Sequence, residues 1–260
     1  SATASKALAL PELAAQYDKL CSKGRTALRF VQSVGTGDLK EAITQLTEAT
    51  QLWPAQPDAW ALLGLALLET GATAEAEAAL QTAQALHDSA TTDPAAPAPA
   101  QRRLEGPLAS QVAAGLGLLL GQGGDPAAAV LHYQRALKNL GPSHRLLYRL
   151  GDALMAQERY ADAEVSYRTS LARDGLRSER GRVAGNSLGR LLAGTQRREE
   201  AIMLYERLVQ SYPQDPRVLH NLAVLEAEAG DVDASARHRE QLTARFPNYR
   251  AGARDRPGPL

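Results

Sequence analysis

The residues best able to do chemistry in this chain are arginines, glycines and histidines. Eight arginines, Arg168, Arg173, Arg177, Arg180, Arg182, Arg190, Arg197 and Arg198, fall within 31 residues against only Asp174 and Glu179. The planar guanidinium fork suits carboxylates and phosphates. This basic segment therefore predicts a surface for acidic protein segments or for RNA. The chain uses 24 Arg and only 5 Lys throughout, so the same run also fits an ordinary solvated rim. A second candidate is Gly115 to Asp125, GLGLLLGQGGD, dense enough in glycine to raise a phosphate loop. It lacks the Gly-Lys-Ser/Thr ending, and no strand pattern precedes it. Asp125-Pro126 reads instead as a helix cap and first-turn proline.

The five histidines, His87, His132, His144, His220 and His238, form no HExxH and no Cys/His pairing. A metal site would need several of them to converge from distant segments. Nothing resembles the strained GxSxG nucleophile turn. Cys21 is the single cysteine, which leaves no partner for an internal disulfide and fits a reducing compartment. The expectation is no catalytic residue, no metal and no cofactor.

The elements that position these side chains are helices. Of 260 residues 48 are Ala and 40 are Leu, against 2 Phe and 2 Trp, a composition of strong helix formers that makes a β-rich fold improbable. The longest mostly apolar stretch, Val112 to Leu120, is far below the roughly 18 to 20 residues of a membrane-spanning helix. Net charge is zero, from 29 basic and 29 acidic residues, but the first hundred residues carry 6 against 11 and the remainder 23 against 18. Bulk attraction to nucleic acid or anionic lipid is absent, while two differently charged ends suit two different neighbours. The first methionine is Met155. Loss of an initiator Met before Ser1 and cleavage of a longer targeting peptide are both open readings.

A repeat emerges from spacing. Residues 57–88 read as two amphipathic helices with Gly71 in the turn between them. Trp60, Leu63, Gly64 and Leu67 mark one apolar seam, and Ala76, Leu80 and Ala83 the other. Equivalents of Ala76 stand at Ala42, Ala129, Ala163, Ala201 and Ser235. The steps are 34, 53, 34, 38 and 34 residues, a 34-residue unit with insertions of 19 and 4. Leu-Gly recurs at Leu63-Gly64, Leu116-Gly117, Leu150-Gly151 and Leu188-Gly189, a later aromatic at Tyr133, Tyr167 and Tyr205, and closing prolines at Pro54, Pro213 and Pro247.

In these residues the chain resembles the tetratricopeptide repeat family over residues 23 to 247. The first unit departs, with Phe30 where glycine is expected, and so does the sixth, with Ala223, Ser235 and Arg239. Terminal units are expected to be atypical because one face meets water. The resemblance implies an all-α, right-handed superhelical solenoid of about six helix hairpins, with the first helices lining a concave groove. Expected boundaries are an N-terminal extension or capping helix at 1–22, repeats one and two at 23–88, a flexible Ala/Pro-rich insertion at 89–107, repeats three to six at 108–247 and a flexible tail at 248–260. The insertion reads either as a hinge or as a loop bulging from an unbroken stack.

Inner-face positions implied by this frame are Arg145, Tyr148, Arg149 and Asp152; Val183, Asn186 and Arg190; and Arg217, His220 and Asn221. Such a polar, basic and aromatic strip could hold an extended partner segment. The Lys and Asn set with which some relatives clamp acidic chaperone tails is missing, since the first unit offers Ala27 and Val31 and the third Ala114 and Leu118. The sequence thus points to a noncatalytic protein-interaction scaffold or adaptor, a subunit or assembly factor of a larger complex. An RNA- or ribosome-contacting repeat protein is the alternative, and an enzyme comes third. No small-molecule substrate and no membrane span are expected.

Overall fold

The structure, a computed structural model, describes residues 10–35, 37–90, 103–141 and 143–252. Among them are twelve α-helices and no strand: α1 (Leu10–Val34), α2 (Lys40–Leu52), α3 (Pro57–Thr70), α4 (Thr73–Ser89), α5 (Gly106–Gln122), α6 (Pro126–Leu140), α7 (His144–Ala156), α8 (Tyr160–Asp174), α9 (Glu179–Gly194), α10 (Arg198–Ser211), α11 (Pro216–Ala229) and α12 (Val232–Arg245). None is long and apolar enough to cross a membrane. Two compact units result, Ser1–Gly141 and Pro142–Leu260. Each contains three antiparallel hairpins, and within each the second helix of one hairpin packs on the first helix of the next.

The hairpins close because small residues let two backbones approach. A Cβ added to Gly64 would sit 2.6 Å from Leu80, one at Gly117 2.9 Å from Tyr133, one at Gly151 2.5 Å from Tyr167 and one at Gly189 2.6 Å from Tyr205. Ala76, Ala129, Ala163 and Ala201 are fully buried on the facing helices. Local signals set the ends. Pro57, Pro126 and Pro216 open helices, the Asp125 and Asp231 side chains accept from Ala128 and Ala234 N–H, and Gly71 closes α3 at φ 81°. At the sixth contact Ser235 replaces alanine without loss, because its hydroxyl donates to the Ala223 carbonyl at 2.7 Å.

The first hairpin corrects the sequence register. Gly24, not Phe30, meets the second helix: its Cβ would lie 2.6 Å from Leu46, while Phe30 is 59% exposed. The cause is length. Helix α1 continues to Val34, whereas α3 stops at Thr70, soon after Gly64. The helix is also unbroken from Leu10, so residues 11–22 are its first turns and not a separate cap. The outer surface of this hairpin is polar where the second is apolar. Ser22, Thr26 and Gln45 occupy the register positions of the buried Leu62, Ala66 and Ala79, as a terminal repeat facing water requires.

The 89–107 insertion joins α4 to α5 within the first compact unit. Helices α3 and α4 pack directly on α5, and the division between compact units falls at Gly141/Pro142. Both flanks of the insertion are ordered, with α4 reaching Ser89 and Leu104 buried ahead of α5, while 91–102 lie outside the described residues. The expected free tail is also partly packed. Tyr249 folds back onto His220, ring centroids 5.9 Å apart, and 253–260 lie outside the described residues.

Ala163→Leu is expected to overpack the fourth hairpin and cost about 1–3 kcal/mol in urea unfolding. Gly24→Val should destabilise similarly, whereas Phe30→Ala should shift stability by less than about 0.5 kcal/mol. The reverse order would refute the Gly24 register.

Candidate functional site

The inner-face positions of the second unit lie on α7, α9 and α11. Arg145 is exposed at the start of α7. One turn later the Arg149 guanidinium stands 5.1 Å from the centroid of the half-buried Tyr148 ring, a cation–π contact. Burial pushes the Tyr148 phenol above its usual pKa. On α9, Val183, Asn186 and Arg190 are all half-buried. The Arg190 Nε is shielded from solvent with no hydrogen-bond partner.

Three of the expected groove residues are held by the fold. Asp152 accepts from Tyr167 at 2.7 Å and from Ser187 at 3.4 Å on the same oxygen. Its pKa is raised because burial outweighs these bonds and the nearby Arg149 and Arg190 charges. Asn186 accepts from Asn221 Nδ2 at 3.1 Å and from the Tyr205 hydroxyl at 3.2 Å. Asn221 is fully buried and also donates to the Tyr205 oxygen at 3.1 Å. It cannot present itself to a partner, which corrects its placement on the open face. The tyrosines that pack on Gly151 and Gly189 thus carry their hydroxyls into the groove and lock its floor. Arg217 is turned onto its own helix cap, with both ends of its fork on Asp215 at 3.0 and 2.9 Å, and His220 lies under Tyr249. Tyr249 and Ser187 were missed by sequence reasoning. Ser187 stands 34 residues before Asn221 and was legible from the repeat, whereas nothing in the sequence marks the return of Tyr249.

The basic segment is largely neutralised from outside its own window. Arg197 donates to Glu164 at 2.6 Å and to Glu200 at 2.6 and 2.7 Å. Arg168 bonds Glu164 at 2.7 Å and reaches Glu200 at 3.4 Å. Arg182 pairs with Glu179 and Asp215 and packs over Tyr212, and Arg198 lies 3.7 Å from Glu228. Arg173, Arg177 and Arg180 are exposed and pair with none of the described side chains. The exposed excess of positive charge therefore contracts to these three, because Glu164, Glu179, Glu200, Asp215 and Glu228 engage the others except the half-buried Arg190.

The other chemical candidates have structural duties. Gly117 makes the Tyr133 contact, Gly115 packs on Leu80, and Gly124 takes φ 87° in the turn. His144 bonds Ser170 across the α7–α8 hairpin, His238 bonds Glu226 at 2.7 Å, and His87 Nδ1 accepts from Leu104 N–H. Among the described residues no three His, Cys, Asp or Glu side chains converge on a metal position. With the register corrected, the first-unit positions compared with the chaperone clamp become Cys21 and Arg25 in place of Ala27 and Val31.

The sequence pattern of the tetratricopeptide repeat family matches residues 34–94, 107–177 and 186–251, well over half of the chain. The chain belongs to the tetratricopeptide repeat family. Solved structures similar to this tetratricopeptide repeat chain include PilW, described as a widely conserved type IV pilus biogenesis factor, with TM-score 0.66, 14% identity, and coverage of 88% of this chain and 95% of that one. The pilF protein of Pseudomonas aeruginosa aligns with TM-score 0.61, 19% identity and coverage of 92% and 95%. YrrB, described as having an unusual peptide-binding site, aligns with TM-score 0.61, 16% identity and coverage of 78% and 93%. At such identities the likeness is one of fold. No curated protein matches this tetratricopeptide repeat chain by sequence.

Tyr205→Phe should cost about 1–3 kcal/mol, because Asn186 and Asn221 lose a buried common partner. Asp215 and Glu164 give a pH signature. Burial alone would raise both carboxyls, but arginine hydrogen bonds and charges hold them below their usual values. A depressed folded pKa stabilises above the unfolded value and loses that contribution as pH falls through the folded one. Urea unfolding should therefore show stability declining from roughly pH 4.5 downward, with a shallower decline in Asp215→Asn.

Proposed function

We propose that this tetratricopeptide repeat protein is a protein-interaction scaffold, and that the inner faces of α7, α9 and α11 hold an extended segment of a partner protein. The observation that carries this reading is the contrast within the strip. Asp152, Asn186 and Asn221 are tied down by tyrosine hydroxyls and neighbouring amides. Arg145 is exposed and Tyr148, Arg149 and Arg190 are half-buried beside this braced floor, outside its hydrogen-bond network. A rigid floor with cationic and aromatic side chains beside it suits a peptide bearing acidic groups, with specificity set by side chains and not by an added strand. The peptide-binding site named for YrrB and the pilus biogenesis role named for PilW support this class of function. A role as a subunit or assembly factor of a larger complex follows from the same reading.

RNA or ribosome contact rests on Arg173, Arg177 and Arg180, since the other arginines of that segment are engaged by carboxylates or lie in the groove. An enzyme has even less support, for the paired titratable residues tie turns within a helix or link neighbouring helices.

Titration calorimetry of the full chain with acidic peptides tests the groove. Arg149→Ala and Arg190→Ala should each weaken binding by about 1.5–3 kcal/mol, the range of charge-assisted hydrogen bonds. Asn186→Ala is unsuitable as a probe because it also opens the Tyr205 joint. Undiminished affinity in both arginine variants would reject the site. If RNA is the partner instead, affinity should fall steeply with salt and survive these two substitutions.

A further inference from the structure

The register set by Gly24 places Asp18, Cys21, Arg25 and Asp58 in the first unit at the positions that Val183, Asn186, Arg190 and Arg217 hold in the second. These residues line a cavity of about 330 Å³ together with Tyr17 and Ser22. Its remaining wall is made by Arg103 and Glu105, the residues that lead into α5. Between them Leu104 is only 5% exposed and joins the hydrophobic core of the unit. Its N–H donates to His87 Nδ1 at 3.1 Å.

The His87 acceptor belongs to α4, so the segment is tied down from the second hairpin, while its two charged residues, Arg103 and Glu105, face α1 and the start of α3. The charges on the two sides are also complementary. The helices contribute Asp18, Asp58 and Arg25, and the crossing segment contributes Arg103 and Glu105. This is how a short peptide is held, by an apolar anchor, a bonded backbone amide and flanking charges.

We propose that Arg103–Leu104–Glu105 is an intramolecular ligand seated on the inner face of α1 and α3, and that this face takes in trans a peptide of the same chemistry, an aliphatic residue flanked by an arginine and a glutamate. The site is distinct from the strip on α7, α9 and α11 and does not depend on it. An outside segment enters only when the strap lifts, so the first unit binds by exchange of one segment for another.

Cys21 reports the exchange. It lines the cavity, is 5% exposed, and burial pushes its thiol up to about 11. A covered, protonated thiol reacts slowly with disulfide reagents. As the single cysteine of the chain, its labelling is read without interference.

The experiment measures labelling of the full chain by an aromatic disulfide reagent at mildly alkaline pH. Leu104→Asp should accelerate it by about tenfold or more, as expected when a local opening becomes favourable by one decade. A synthetic peptide with the sequence of residues 103–109 should slow labelling of that variant again, and the same peptide with aspartate in place of its first leucine should not. Should Leu104→Asp lose helical circular dichroism, Leu104→Ala takes its place with the same peptide readout. Labelling of the folded variants within about twofold of the parent chain overturns the proposal. So does an acceleration that the peptide fails to reverse, since Leu104 is then core packing alone.

Discussion

The close approach of paired helices at glycine and alanine is the constraint on which the rest of this structure depends. At Gly64, Gly117, Gly151 and Gly189 even one extra carbon would intrude on the facing side chain. In protein interiors, packed to crystal-like density, such contacts leave no slack. The partner at three of these contacts is a tyrosine, and such a tyrosine can do more than fill space. Tyr167 and Tyr205 send hydroxyls past the contact to Asp152 and to Asn186 with Asn221. Packing and groove geometry are therefore one device, and the residues that close each hairpin also brace the floor between first helices.

The junctions between successive hairpins show one architecture built with different chemistry. Tyr17 and Arg182 stand seven residues before Gly24 and Gly189. The Tyr17 ring meets Trp53 edge-on, and its oxygen accepts from Ala59 N–H at the start of α3. The Arg182 guanidinium lies over Tyr212 and pairs with Asp215, the cap of α11. In each case a side chain from the first helix covers an aromatic corner and ties down the beginning of the next hairpin. The phenol does this without a charge, whereas the arginine draws in Glu179 as well, so only the second junction responds to acid.

Much of the fold could be read from spacing, and less of the site. Ala129, Ala163 and Ala201 are buried contacts and the Leu-Gly pairs do mark close approaches, because a 34-residue period is a property of the chain itself. Phe30 misleads because the repeat frame, carried back at constant length, enters a hairpin whose first helix is longer. Asn221 reads as an open-face residue because register alone cannot tell a residue lining a groove from one wedged between two hairpins. The arginine-rich window misleads for a related reason. Charge counted along the chain omits Glu164, Glu200, Asp215 and Glu228, which come from outside the window and do the neutralising.

What the sequence determined unaided is periodic and local: helices from alanine and leucine, their caps from Asp125 and Asp231, and the contact positions from recurring small residues. Those depend on neighbours within a few turns of the chain. Tertiary structure alone decided which polar groups remain available. Burial, ion pairing and hydrogen bonding of Asp152, Asn221, Arg182 and Leu104 depend on residues up to dozens of positions away, and only folding brings these within the few ångströms at which such forces act.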